Sequence, residues 1–181
     1  MNLKIYTSVL ILAFLSVSCS SSSSDILTST EKKEITDDNE YRKLVENQEY
    51  EKAFKKLFAL ENLNDSRNYA KNEIGFFYEN GLYVNKNIDL AEKYYAEAGN
   101  ENYTPALYNM GRLKLESGNY TEAASIFETI EKNNFAPALN LLGVMYNYGY
   151  SYDVNLEKAL SYYKKAAVLG NPDAQFNIGQ M

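Results

Sequence analysis

The sequence predicts an all-α protein, an α-solenoid of antiparallel helix pairs, because two helical patterns alternate along its 181 residues. In the first pattern an alanine precedes a glycine by five residues, and successive copies begin 36, 32 and 36 residues apart. In the second, a large side chain and then an apolar residue follow an alanine after four and seven residues, which aligns all three on one helical face. The alanines are Ala70, Ala106, Ala138 and Ala174 in the first pattern and Ala53, Ala91, Ala123 and Ala159 in the second.

The two patterns predict a helix A and a helix B in each repeat unit. The step from the alanine of helix B to the alanine of the next helix A is 15 residues in all three complete cases, so the packing between units is expected to be constant. Only the connection from A to B varies, and it is four residues shorter between Gly111 and Ala123 than in the units on either side. The four-residue difference in repeat length is therefore expected to lie in the loop between helices A and B.

Local signals mark the predicted helix ends. Thr104 and Asn171 each precede a proline, which predicts N-caps at these two positions. Asn119 is followed three residues later by Glu122, and this pair resembles a capping box at the start of a helix B.

The positions of the glycines support two further predictions, on helix ends and on helix packing. Gly99 and Gly170 follow helices B, where a C′ glycine ends a helix. The glycine inside each helix A costs about 1 kcal/mol relative to alanine, so its recurrence predicts a compensating close approach of the facing helix. The small alanine of helix B is the expected partner, with the aromatic side chains filling the space between layers.

These patterns resemble the tetratricopeptide family, and two units resemble its Sel-one-like repeat (SLR) subclass. The first unit, 34–66, keeps only its helix B, and the third, 103–135, resembles an ordinary tetratricopeptide repeat. The second unit, 67–102, and the fourth, 136–171, carry the SLR pattern of alanines, glycines and tyrosines, and residues 172–181 begin a fifth. The SLR positions are Ala70, Gly75, Tyr78, Gly81, Val84, Ala91, Tyr94, Tyr95, Ala98 and Gly99, and Ala138, Gly143, Tyr146, Gly149, Val154, Lys158, Ala159, Tyr162, Tyr163, Ala166, Ala167 and Gly170.

The resemblance implies a tetratricopeptide/SLR-like superhelix in which helices A line a concave, ligand-binding side. Amides, an arginine and aromatic rings there suit an extended peptide, and the alternative is a merely soluble inner face. The implied positions are Asn72, Phe76, Glu79, Asn80, Tyr108, Arg112, Leu115, Glu116, Asn140, Val144, Asn147 and Tyr148; the candidate ligand-binding residues among them are Asn72, Glu79, Tyr108, Arg112, Glu116, Asn140, Asn147 and Tyr148.

The segment before the repeats predicts export. Residues 1–18 have Lys4, a short apolar run and small residues, the marks of a secretory signal peptide. Cys19, the only cysteine, resembles the lipidated residue of a bacterial lipoprotein, although Ser16 stands where that motif favours leucine; an ordinary cleaved signal and an uncleaved anchor are the alternatives. Residues 19–33 form a Ser-rich tether. The expected location is a bacterial cell envelope, at the outer membrane if the cell is Gram-negative.

The composition limits the ligands and reactions expected of this chain. The chain has no histidine and a net charge of −6, which disfavours nucleic acid as a partner and common metal or nucleophilic sites. Neither a cofactor nor a metal is expected. Paired carboxylates could still support hydrolysis of wall polymers, but no motif selects a pair.

The 17 tyrosines have two interpretations. Most, including Tyr78, Tyr95, Tyr146 and Tyr163, fall on core positions of the repeat. Tyr148, Tyr150 and Tyr152 lie at the end of a helix A and in the long loop after it, where they are either a partner-contacting patch or a self-packed loop.

We therefore expect a non-enzymatic scaffold that binds a protein or peptide and is tethered to an envelope membrane. The alternatives are a glycan or peptidoglycan binder that uses the tyrosine-rich loop, and a carboxylate-dependent hydrolase. The sequence ends after a helix A that lacks its helix B, which favours a truncated reading frame over a helix that caps the stack or a face covered by another copy.

Overall fold

The computed structural model describes residues 40–61, 67–100 and 102–181. The signal peptide, Cys19 and the tether lie outside these ranges. Within them the chain forms nine helices and no strand: α1 (40–46), α2 (Tyr50–Leu60), α3 (Arg67–Asn80), α4 (Ile88–Gly99), α5 (Thr104–Glu116), α6 (Tyr120–Glu131), α7 (Ala136–Tyr148), α8 (Leu156–Val168) and α9 (Pro172–Gln180). The predicted fold class, an all-α solenoid of helix pairs, is confirmed.

The helices pair in sequence order, and each pair is called a unit below. The first unit is α1 and α2, which share a core cluster and the Lys56–Glu40 ion pair. The second unit is α3 and α4, the third α5 and α6, and the fourth α7 and α8, after which α9 packs on α8. The core lies between the helices of each pair and between neighbouring pairs. Its largest fully buried side chains are Tyr95, Tyr163, Phe77, Phe127, Leu57, Ile74, Ile130, Leu139, Leu142 and Met145. No helix of the described residues has the length and apolar character that crossing a bilayer requires.

The glycines of α3, α5 and α7 are each in close contact with an aromatic ring of helix B in the same unit. A Cβ atom on Gly75 would lie 2.8 Å from the Tyr95 ring, and one on Gly143 would lie 2.6 Å from the Tyr163 ring. The expected partner, the helix B alanine, was thus only partly right, because its carbonyl oxygen is 3.2 Å away while the ring is nearer. The second, third and fourth units therefore each pack a buried ring against a residue without a side chain.

The helix ends agree with the sequence signals in part. Asn171 accepts a hydrogen bond from the Ala174 amide, as its N-cap prediction requires, and Gly170 has φ +85°, the left-handed conformation of a C′ glycine. The N-cap prediction at Thr104 was wrong, because α5 already includes Thr104, whose hydroxyl instead accepts from the Asn133 amide. Asn119 is the N-cap residue of α6 as predicted, but its side chain makes no capping hydrogen bond.

Gly99 also departs from its prediction. It is the last residue of α4 rather than the C′ residue, and it is buried. A Cβ atom there would lie 2.8 Å from Leu107 Cδ2. The absence of a side chain at Gly99 therefore serves the approach of α5.

Candidate interaction surface

Three of the candidate residues form one ionic cluster between α3 and α5. One terminal nitrogen of Arg112 donates to Glu79 Oε1 at 2.6 Å and to Oε2 at 2.7 Å, and the other donates to Glu116 at 2.8 Å. The Tyr95 hydroxyl also donates to Glu79, at 2.7 Å. Glu79 and Arg112 are 12% and 17% exposed, so this is a largely buried pair.

The cluster sets the ionisation of its members. Burial alone would lower the pKa of the Arg112 guanidinium, but the carboxylates of Glu79 and Glu116 outweigh it and hold that pKa above its ordinary value. Burial, reinforced by the Glu79 carboxylate, raises the pKa of the Tyr95 phenol. A carboxylate that accepts hydrogen bonds from an arginine and a phenol is suited to joining two helices.

Asparagines join successive helices A in the same way at two places. The Asn109 amide donates to Asn72 Oδ1 at 3.0 Å, and the Asn177 amide donates to Asn140 Oδ1 at the same distance. Asn72 and Asn140 are buried, and Asn72 also donates to Glu73. Their amide groups are therefore engaged between helices, and a ligand-binding role for them stays a prediction.

The remaining candidates divide between packed and exposed positions. Tyr108 packs against Phe135 with ring centroids 5.4 Å apart, and burial raises the pKa of its phenol. Asn147 is half-buried, and the Tyr148 side chain is 54% exposed. Together with Glu116 these two lie in the last turns of their helices, so the accessible part of the predicted set is at one end of the helices A.

The loops of the second and fourth units have the same backbone framework, 68 positions apart. Gly81 and Gly149 have φ +67° and +74°, a conformation that favours glycine. The amides of Asn87 and Asn155 both donate 2.9 Å bonds back to the end of their own helix A, and their side chains cap α4 and α8. One backbone path thus serves two different sequences.

Tyrosines distinguish the fourth loop from the second. Tyr148, Tyr150 and Tyr152 stand where the second unit has Asn80, Leu82 and Val84. Because the second loop forms the same turn and the same backbone hydrogen bonds without them, the three rings are not needed for the backbone path.

The inner tyrosine stack consists of Tyr152, Tyr146 and Tyr162. The Tyr146 ring is 4.1 Å from Tyr152 and 5.7 Å from Tyr162 between centroids, with nearly parallel planes. Burial and a hydrogen bond to the Glu128 carboxylate raise the pKa of Tyr152. This stack belongs to the packing between the loop and α8.

The outer tyrosine stack consists of Tyr120, Tyr150 and Tyr148. The Tyr120 and Tyr150 rings are 4.5 Å apart at 9° between their planes, and Tyr148 lies 5.8 Å from Tyr150. Tyr120 at the start of α6 and Tyr148 at the end of α7 are both exposed. The two predicted roles of the loop tyrosines are therefore divided: Tyr152 is self-packed, and Tyr148 faces solvent.

Tyr120 was not among the residues predicted to belong to this surface. Tyr120 belongs to the third unit, and its contact with Tyr150 depends on how two units stack. No spacing in the sequence encodes that contact. Among the described residues there is also no group of three or more acidic or cysteine side chains arranged to hold a metal ion.

Comparison with known proteins finds a family match for two of the repeat units. The Sel1 repeat family matches residues 68–103 and 136–171, the two units that resemble the SLR pattern. A crystal structure of a Sel1 repeat protein from Oxalobacter formigenes has 28% identity and a TM-score of 0.65 over 80% of this chain and 58% of its own. A protective antigen of uropathogenic Escherichia coli with an SLR fold has 18% identity and a TM-score of 0.59 over 71% of this chain and 28% of its own.

No curated protein matches the sequence. The chain spans less than two thirds of either similar structure. Proteins built of Sel1 repeats generally act as scaffolds for protein interaction, and their fold is typically non-catalytic.

Proposed function

We propose that this Sel1-like repeat protein is a non-enzymatic scaffold that holds a protein partner at a bacterial envelope membrane. Its contact surface is the exposed outer tyrosine stack, with the neighbouring last turn of α7. Its anchor is a lipid on Cys19, and residues 19–33 are the tether between lipid and repeats.

The observation that supports this surface most directly is the comparison of the two loops. The fourth loop carries three tyrosines on a backbone that the second loop forms with asparagine, leucine and valine. Two rings of the outer stack are exposed although tyrosine is large and apolar over most of its surface. Tyrosine is among the residues that dominate protein interfaces, because it offers a large, rigid contact area with few rotatable bonds.

The ionic cluster supports a structural role for the middle of the solenoid. Glu79, Arg112 and Tyr95 satisfy one another, so this region joins the second and third units.

The test is photo-crosslinking in cells of the native producer. A photoreactive phenylalanine replaces Tyr148 in one variant and Asn80, its counterpart in the second loop, in the control. We expect a discrete protein adduct from position 148 and little from position 80. The adduct should weaken when Cys19→Ser moves the chain out of the membrane fraction.

Other outcomes would contradict parts of the proposal. Equal adducts from both positions would remove the tyrosine surface from it, and an unchanged membrane fraction for Cys19→Ser would remove the lipid anchor. Recovery of wall glycan alone at position 148 would favour the glycan-binding alternative. Cleavage of wall polymer by the purified chain would favour the hydrolase.

A further inference from the structure

We propose that the outer tyrosine stack binds the cationic side chains of a basic segment in the partner protein, arginine above all. The inference deepens the proposed function and rests on it, because it assigns the chemistry of the partner to the same surface. It follows from a difference between the two tyrosine stacks.

The inner stack already binds cations from its own chain. The Lys158 ammonium lies 4.3 Å from the centroid of the Tyr146 ring and donates to the Tyr146 hydroxyl at 2.7 Å. The Lys165 ammonium lies 5.1 Å from the centroid of the Tyr162 ring. Both distances are within the roughly 6 Å at which a ring quadrupole attracts a positive charge.

The outer stack has the same ring chemistry without a cation. Over the ranges that the structure describes, no lysine or arginine lies above Tyr120, Tyr150 or Tyr148. Tyr150 has a ring on each side, whereas Tyr120 and Tyr148 form the two ends of the row and are 37% and 54% exposed. The exposed ring surface at these ends is therefore accessible to a cation from outside.

The charge around the loop favours a basic partner. Asp153 lies in the loop itself and Glu157 in the first turn of α8, both are exposed, and neither forms an ion pair with another described residue. The whole chain has a net charge of −6. Exposed carboxylates in the loop and at the start of α8 attract a guanidinium at long range, and arginine stacks on aromatic faces more readily than lysine.

Binding of a defined peptide to the full-length chain tests the inference. The probe is an acetylated tetra-arginine amide, and its matched control is the tetra-citrulline peptide, which has almost the same shape without the charge. Isothermal titration should detect the arginine peptide only. Tyr148→Leu should weaken its affinity about fivefold, as expected for loss of one exposed cation–π contact, while Tyr148→Phe should keep it.

Two further variants separate stacking from simple charge attraction. Asp153→Asn should weaken the affinity for the arginine peptide and reduce its dependence on salt concentration. Asn80→Leu changes the matching position of the second loop and should have no effect. Thermal unfolding of Tyr148→Leu should match the wild type, because the side chain is more than half exposed.

Equal affinity of the wild type and Tyr148→Leu for the arginine peptide would overturn the inference. So would binding of the citrulline peptide, or of an N-acetylglucosamine trimer in place of the arginine peptide. If crosslinking from position 148 still captures a protein in these cases, the proposed scaffold function stands and only the cationic chemistry fails. If neither experiment detects a partner, both are overturned.

Discussion

The second and fourth units share one framework and differ in what is attached to it. In both, a buried tyrosine lies on a glycine of helix A, the loop turns at a glycine of positive φ, and an asparagine caps helix B. The second unit uses its remaining positions for an ionic link to the third unit through Glu79 and Arg112. The fourth uses them for tyrosines, one of which links back to the third unit through Tyr120.

Under the proposed function, this difference separates the residues for stability from those for recognition. The Glu79 position corresponds to Asn147 in the fourth unit, where the buried Tyr163 has no carboxylate partner among its described contacts. A satisfied buried ion pair ties its neighbours together but offers no free group to a ligand. Exposed rings do the opposite, so under the proposed function the two units serve different tasks on the same backbone.

The largest expected effect comes from breaking the largely buried ion pair between the second and third units. Arg112→Ala leaves the largely buried Glu79 carboxylate without its cation, and removal of one partner of such a pair costs about 3 kcal/mol. Asn147→Ala, at the position of Glu79 in the fourth unit, should cost less than about 1 kcal/mol. Urea unfolding of both variants measures the difference.

A second variant shows whether the loss of stability comes from the unpaired Glu79 carboxylate. Adding Glu79→Gln to Arg112→Ala should recover part of the lost free energy of unfolding, because the unpaired carboxylate is removed. Equal costs for Arg112→Ala and Asn147→Ala would contradict the contrast between the units.

The next largest effect is expected at the contact between glycine and tyrosine ring that both units share. Gly143→Ala places a Cβ atom 2.6 Å from the buried Tyr163 ring. The strain should outweigh the gain of about 1 kcal/mol in helix propensity and leave a net loss of about 1–2 kcal/mol. Gly75→Ala should behave alike, because its Cβ atom would meet the Tyr95 ring at 2.8 Å.

Gly179 is the matched control within the same chain. It occupies the same pattern position in α9, but nothing lies within 4 Å of where its Cβ atom would be. Gly179→Ala should therefore be neutral or stabilise the protein by up to about 1 kcal/mol. The midpoint of thermal unfolding should move in opposite directions for Gly143→Ala and Gly179→Ala, and a fall in both would mean that the glycines are needed for something other than the ring.

Periodicity accounts for what the sequence predicted well. The two alternating patterns are local, so they indicate helices A and B and their pairing, and the SLR resemblance at the second and fourth units is confirmed by the family match. Periodicity does not say which residue of a helix face meets the facing glycine. The alanine and the aromatic residue of helix B are one turn apart on the same face, so periodicity does not distinguish which of them contacts the glycine.

The candidate site was harder to predict because exposure depends on contacts between units. Asn72 and Asn140 have the right chemistry for a peptide, yet each is paired with an asparagine 37 residues later. That second asparagine recurs two residues before the glycines of α5 and α9, so the sequence did contain the signal. The Tyr120–Tyr150 contact has no such recurrence, and only the stacking of the third and fourth units brings it about.

The smallest effect is expected at the N-cap asparagines of helices B, where the second and fourth units can be compared with the third. Asn155 accepts a 2.8 Å hydrogen bond from the Lys158 amide, and Asn87 accepts a 3.0 Å bond from the Leu90 amide. Asn155→Ala and Asn87→Ala should each cost about 1 kcal/mol, the usual value for loss of an N-cap. Asn119→Ala should cost clearly less, because the Asn119 side chain accepts no such bond.

Urea unfolding of the three variants measures these differences, and amide hydrogen exchange locates them. Faster exchange should be confined to the first turn of α8 in Asn155→Ala and of α4 in Asn87→Ala, since a cap stabilises the amides that it binds. If Asn119→Ala cost as much as the other two, the capping box expected at Asn119 and Glu122 would form in solution after all. If Asn87→Ala and Asn155→Ala differed by more than about 1 kcal/mol, the caps would not be equivalent, and the two loops would differ in their backbone framework as well as in their tyrosines.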